Sequence, residues 1–170
     1  GANWTGVLLV DGETAAAKPI FSPLVDTAGI YRVSDLAPDQ TFFAAHTGHQ
    51  LDGQEVGRLV RISALGKVDR AFDTLGSMAD MPSHLDIKSV SALRNGGALV
   101  NFGESNAVAF RILGPSGETL FDIPNPEAST LAVAPHGDDG IIVSRYVADV
   151  GSRVTRYFLN GQVDEAFQPF

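Results

Sequence analysis

At 170 residues the chain is long enough for one domain with a sizeable core and short for two. Hydrophobic residues make up 44 % and charged residues 19 %, a balance that excludes a disordered chain. With 20 acidic against 12 basic residues the net charge is −8, which disfavours nucleic acid and anionic membranes as partners, and the absence of cysteine excludes disulfides, thiolate metal sites and thiol nucleophiles.

In chain order, the first expected strand is Val7–Val10, turning at Asp11-Gly12 and returning towards Phe21. Tyr31-Arg32-Val33 precedes a turn at Pro38-Asp39, and Thr41–Ala45 is the next strand. Leu59–Ala64 leads into a turn at Gly66 and a strand carrying Phe72. Val90–Leu93, the turn Asn95-Gly96 and Ala98–Phe102 follow, then Val108–Leu113 and a turn at Gly117 before Phe121. The last set is Leu131–Val133, a turn at Asp138-Asp139-Gly140, Ile141–Tyr146, Val154–Leu159 and the turn at Gly161 before Phe167. Asn-Gly and Asp-Gly predict tight two-residue hairpin turns with positive φ at both central positions. Sustained helical periodicity is missing, and no apolar run reaches the length of a bilayer span. The start at Gly1-Ala2-Asn3-Trp4 has no signal-peptide character and, without Met, reads as that of an excised piece.

Two markers repeat along the chain. Glycines fall at 12, 66, 117 and 161, at intervals of 54, 51 and 44, and phenylalanines at 21, 72, 121 and 167, at intervals of 51, 49 and 46. The pair 61–72 and 156–167 is the clearest: Arg, four residues, Gly, one residue, Val-Asp, one residue, Ala-Phe. A looser copy runs from Phe110-Arg111-Ile112-Leu113 through Gly117 to Phe121. Four strands per period of about fifty residues is the pattern of a β-propeller blade.

In Arg61, Gly66, Asp69 and Phe72, and again in Arg156, Gly161, Asp164 and Phe167, the units resemble the delta-60 type of bacterial β-propeller repeat. The unit around Gly117 departs from it, with Leu120 at the Asp position, and the unit around Gly12 lacks both Arg and Asp. The resemblance implies a propeller in secreted or surface-associated bacterial proteins, hence an extracellular, cell-surface or periplasmic setting, and brings no catalytic motif. The expected fold is therefore all-β: a β-propeller segment of four-stranded antiparallel blades, about 3.5 blades, an incomplete ring on its own. Residues 1–22 form an outer half-blade, and 30–73, 87–123 and 130–169 form three blades. Two inner strands are missing, so an upstream propeller segment or a protein partner is expected to complete the ring.

The repeated Arg and Asp lie nearly symmetrically about their turns, so Arg61–Asp69 and Arg156–Asp164 are expected to meet across hairpins as exposed structural ion pairs, contributing under about 1 kcal/mol. The repeated Phe is expected to pack between neighbouring blades. The hydrolase, zincin and P-loop motifs are absent, so no catalytic residue is assigned. His46-Thr47-Gly48-His49 with Asp52 has metal-ligand residue types but needs a loop and further ligands. His136-Gly137-Asp138-Asp139-Gly140 resembles part of a calcium loop and reads better as a hairpin turn. No metal or other cofactor is assigned, with calcium the minor alternative.

In a blade, the links between strands two and three share a face with the links between blades. Those links carry Asp26, Asp52, Glu55, Asp73, Asp80, Asp86, Glu104, Asp122, Glu127 and Asp149, half of the 20 acids, with His46, His49 and His84 and no Lys or Arg. That acidic face is the candidate binding surface, for a basic protein or divalent cations; an acidic surface serving only solubility accounts for it as well. The expected function is a non-catalytic protein-binding or scaffolding module of a larger bacterial secreted or surface assembly. The alternatives are a glycan-acting or other hydrolytic propeller enzyme, with carboxylates near the central channel, and a purely structural subunit.

Overall fold

The computed structural model describes residues 7–10, 17–21, 30–46, 50–51, 54–79, 87–102, 108–124, 131–147 and 149–169. Among them every regular element is a strand and every pairing is antiparallel. Strands β1 (Val7–Val10) and β2 (Ala17–Phe21) form a hairpin. The first larger sheet runs β3 (Ile30–Val33), β4 (Phe42–His46) and, after a small hairpin of β5 (Gln50–Leu51) and β6 (Gln54–Glu55), β7 (Leu59–Ile62). The second is a four-stranded meander of β8 (Ser89–Ala92), β9 (Ala98–Asn101), β10 (Val108–Leu113) and β11 (Thr119–Pro124). The third comprises β12 (Leu131–His136), β13 (Gly140–Val147) and β14 (Gly151–Phe158). These sheets close no barrel. Residues 1–6, 11–16 and 22–29 of the expected half-blade and its link lie outside the described residues.

The fourth strand is full length only in the second sheet. In the first and third it shrinks to single bridges, Ile62↔Val68 and Tyr157↔Val163. The cause is the residue three places after the turn glycine. Asp69 Oδ1 accepts the Ala71 N–H at 2.9 Å and Asp164 Oδ1 accepts the Ala166 N–H at 3.0 Å, so each aspartate folds the chain into a local turn. Leu120 stands at that place in the second sheet, and its strand runs on.

The hairpin turns differ from the expected two-residue type. In Ala37–Thr41, Ser63–Lys67, Leu93–Gly97, Gly114–Glu118 and Phe158–Gln162 the first residue's N–H bonds to the carbonyl of the fifth, and the fourth residue's N–H to the carbonyl of the first. Only the fourth position has positive φ, in Gln40 (62°), Gly66 (73°), Gly96 (85°), Gly117 (89°) and Gly161 (84°). This is a type I turn followed by one left-handed residue. The Asn or Asp before the left-handed residue serves as an acceptor instead of supplying positive φ. Asp39, Asn95 and Asn160 each take the N–H two residues on, at 2.9 to 3.0 Å.

The sheets stack face to face. Strand β4 is buried on both sides: Phe43 and Ala45 join a core with Val90, Ala98, Val100 and Leu113 of the second sheet, while Phe42 and Ala44 pack with Val60 and Ile62 on the other side. That is why β4 reads as a continuous apolar run without alternation. The opposite face of the second sheet, through Leu99, Phe110 and Ile112, meets Ile141 and Val143 of the third. The first strands adjoin in sequence order, β8 touching both β3 and β12. At the other edge, the glycine turns of the second and third sheets rest on the sheet before each. A Cβ on Gly117 would come within 2.3 Å of the Asp73 carbonyl oxygen, and one on Gly161 within 2.7 Å of the Phe121 ring.

Candidate functional site

Arg61 leaves β7 on the face that meets the second sheet. Its Nε and Nη2 donate to Asp69 Oδ2 at 2.9 and 2.7 Å, and its Nη1 donates to the carbonyls of Gly96 (2.6 Å) and Pro115 (3.0 Å). Those carbonyls belong to the two turns of the next sheet, so one side chain joins two turns and two sheets. The guanidinium also lies 5.3 Å from the centre of the Phe72 ring, whose edge meets Phe43 at 5.0 Å. The pair is not the exposed one expected from sequence, since the Arg61 side chain is only 13 % exposed. Burial by itself would raise the Asp69 pKa; the Ala71 N–H and the Arg61 guanidinium outweigh it and hold the carboxyl below its ordinary value.

Arg156 repeats the arrangement with one change. Its Nη1 donates to Asp164 Oδ2 and its Nη2 to Asp139 Oδ1, both at 2.5 Å, and the hydrogen bond to Asp164 is the main reason its pKa is raised. Where Arg61 grips the carbonyls of the following sheet, Arg156 holds an acid in a turn of its own sheet. Its partner in the repeat, Phe167, is half-buried and meets His136 edge-on at 5.8 Å.

The middle unit carries its arginine one residue out of step. Counting from the turn, Ile112 and not Arg111 occupies the place of Arg61 and Arg156, and it is fully buried. Arg111 projects from the other face, back towards the first sheet. It forms a two-pronged pair with Asp122, directly opposite on β11, at 2.7 and 2.8 Å, and also donates to the Ser77 carbonyl. Asp122, expected among the free acids of a link, is therefore a strand residue committed to an ion pair. A one-residue shift flips a side chain to the opposite face, so the flanking motif alone misleads.

Of the other acids expected on the binding face, Asp26, Asp52, Asp80, Asp86, Glu104 and Glu127 lie outside the described residues. Glu55 on β6 and Asp73 are exposed, and with Asp69, Arg70, Val56 and Leu75 they line an open hollow of about 200 Å³ beside β7. Asp73 Oδ1 accepts the Leu75 N–H at 2.9 Å, and its own N–H reaches Ser116 in the next sheet. Asp149 is exposed in the turn between β13 and β14, with φ 68°, and does not join this group. His46 corrects another expectation: it is the last residue of β4 and 1 % exposed, so it offers no ligand in a surface loop. His49 and Asp52, the rest of that motif, lie outside the described residues. His136–Gly140 forms the hairpin between β12 and β13, with positive φ at Gly137. Among the described residues no three His, Asp or Glu side chains converge on one cation position. A second hollow, of about 270 Å³, lies where the second and third sheets meet and is lined by Ser89, Ser91, Asn101, Phe110, Ala132 and Val133.

No family model, curated protein or solved structure matches the chain. No described helix is long and apolar enough to cross a membrane.

Proposed function

We propose that the chain is a segment of a β-propeller and serves as a non-catalytic protein-binding or scaffolding module, in a secreted or surface assembly of the kind its delta-60-like repeats imply. The observation that carries the propeller reading is the regularity of the stacking. The second and third sheets each lay one face on the sheet before, adjoin it through their first strand, and rest their glycine turn on its outer edge. Antiparallel sheets stacked face to face in chain order are how blades follow one another about an axis.

Scaffolding follows from how the polar residues are used. Arg61, Arg111 and Arg156 are consumed in ion pairs and contacts to backbone carbonyls. The partner is a further unit of the same repeat, supplied by another segment or another chain. It covers the face of the third sheet that carries Ile142, Ser144, Tyr146 and Val154. The corresponding faces of the first and second sheets are covered by the sheet that follows, burying Phe43 and Leu99. Here Ile142, Ser144 and Val154 are half-buried and Tyr146 is 55 % exposed. Glu55 and Asp73, on the rim of the hollow beside β7, give basic partner surfaces a second point of attachment, weakened by salt.

A photo-crosslinking residue placed at Val154, in protein from its native source, tests this. Adducts should carry strand sequence of the same repeat type. Adducts confined to unrelated sequence, or none under conditions where a probe at exposed Leu65 reacts with solvent quencher, would remove the reading.

A further inference from the structure

We infer that Arg145 and Arg153 form a binding site for an oxyanion, the phosphate or carboxylate group of a ligand. The two residues stand directly opposite each other on β13 and β14. Directly paired residues project from the same face with Cβ atoms roughly 5 Å apart, and like charges so placed repel. Nothing within the described residues relieves the repulsion. Arg145 Nε is buried and has no hydrogen-bond partner, although the side chain as a whole is half-buried and within reach of solvent. Arg153 is exposed, and no described acid, Asp149 in the adjoining turn included, makes an ion pair with either guanidinium.

The fold does not require arginine at these two places. The matching pair in the second sheet is Phe102 and Ala109, joined N–H to carbonyl at 2.9 Å, and both are buried. An apolar pair therefore seals the position where sealing is all that is needed. In the third sheet the same position carries two forked cations, one with an unanswered donor. A tetrahedral or planar oxyanion between them accepts from both forks, answers Nε and cancels the repulsion. The net charge of −8 opposes long-range capture of anions, so half-saturation belongs on the order of 1 mM for a simple ion. This inference is independent of the propeller and scaffolding readings.

The test follows the arginine Nε–Hε resonances by NMR while sodium phosphate, and separately sodium acetate, is titrated at fixed ionic strength made up with chloride. The Arg145 resonance should shift and saturate with phosphate, with acetate, or with both; the effective ion shows which group the site prefers. Arg153→Gln, a change at an exposed position, should weaken the half-saturation about tenfold, whereas Arg94→Gln, whose partner is Asp138, should leave it unchanged. A parallel measurement of thermal unfolding should show phosphate raising the midpoint of the natural chain and not that of Arg145→Gln. A shift that grows linearly without saturating, that follows ionic strength alone, or that persists undiminished in Arg153→Gln would overturn the site.

Discussion

Arg61 shows how little a residue's sequence spacing says about its energetic weight. A cross-strand pair on a wet surface contributes under about 1 kcal/mol, but Arg61 is mostly covered and holds a carboxylate and two carbonyls of the next sheet. Arg61→Ala leaves those acceptors without their donor and should cost about 2–4 kcal/mol in urea unfolding. A loss under about 1 kcal/mol would mean that water replaces the guanidinium without penalty. The pH dependence belongs to Asp69, whose carboxyl is depressed in the folded state. Its contribution is complete above the unfolded value near 4 and is lost as pH falls through the lower folded value. The stability gap between the natural chain and Asp69→Asn should thus stay constant from pH 7 to about 5 and shrink towards pH 2. Phe72 and Phe167 separate in the same way. Phe72, 4 % exposed, should cost about 3–5 kcal/mol on replacement by Ala, and half-buried Phe167 distinctly less.

The strands end where particular side chains make them end, and the turns carry their own signature. Five hairpins share one backbone form with one left-handed position, filled by Gly in four and by Gln40 in the fifth. Gln40→Gly relieves the Cβ crowding of that conformation and should stabilise the chain by about 0.5–1 kcal/mol. The glycines themselves differ in what surrounds them. On Gly96 a Cβ meets the movable end of Arg61 at 3.3 Å, whereas on Gly117 it meets the Asp73 backbone at 2.3 Å. Gly96→Ala should cost about 1 kcal/mol from the conformation alone, and Gly117→Ala considerably more, because the second sheet must move off the first. Equal midpoints for the two variants in thermal unfolding would contradict the observed seating of that turn.

At the scale of the molecule, the two inter-sheet cores share no residue among those described, so each sheet communicates with its sequence neighbours through separate packing. Phe43→Ala in the first interface and Ile141→Ala in the second should therefore add to within about 0.5 kcal/mol. Coupling well beyond that would show that the stack yields as one body.

The antiparallel all-β character and the turn positions of the described strands were legible in the sequence because they depend on local chemistry. Glycine tolerates the left-handed residue, Asn and Asp cap the N–H two residues on, and apolar runs of strand length have no other use in a chain without helical periodicity. The pairing of Arg61 with Asp69 and of Arg156 with Asp164 was legible for the same reason, since both partners flank one turn. Tertiary structure decided the rest. Only the structure shows that Arg61 grips the following sheet, that Ile112 is fully buried while Arg111 reaches back to the first sheet, and that Asp122 and His46 are strand residues and not loop ligands. The confrontation of Arg145 with Arg153 was likewise hidden, because it depends on the register of two strands joined by a link whose length does not fix it. Side-chain direction alternates with every residue and burial depends on the neighbouring sheet, so neither can be read from a motif whose spacing shifts by one.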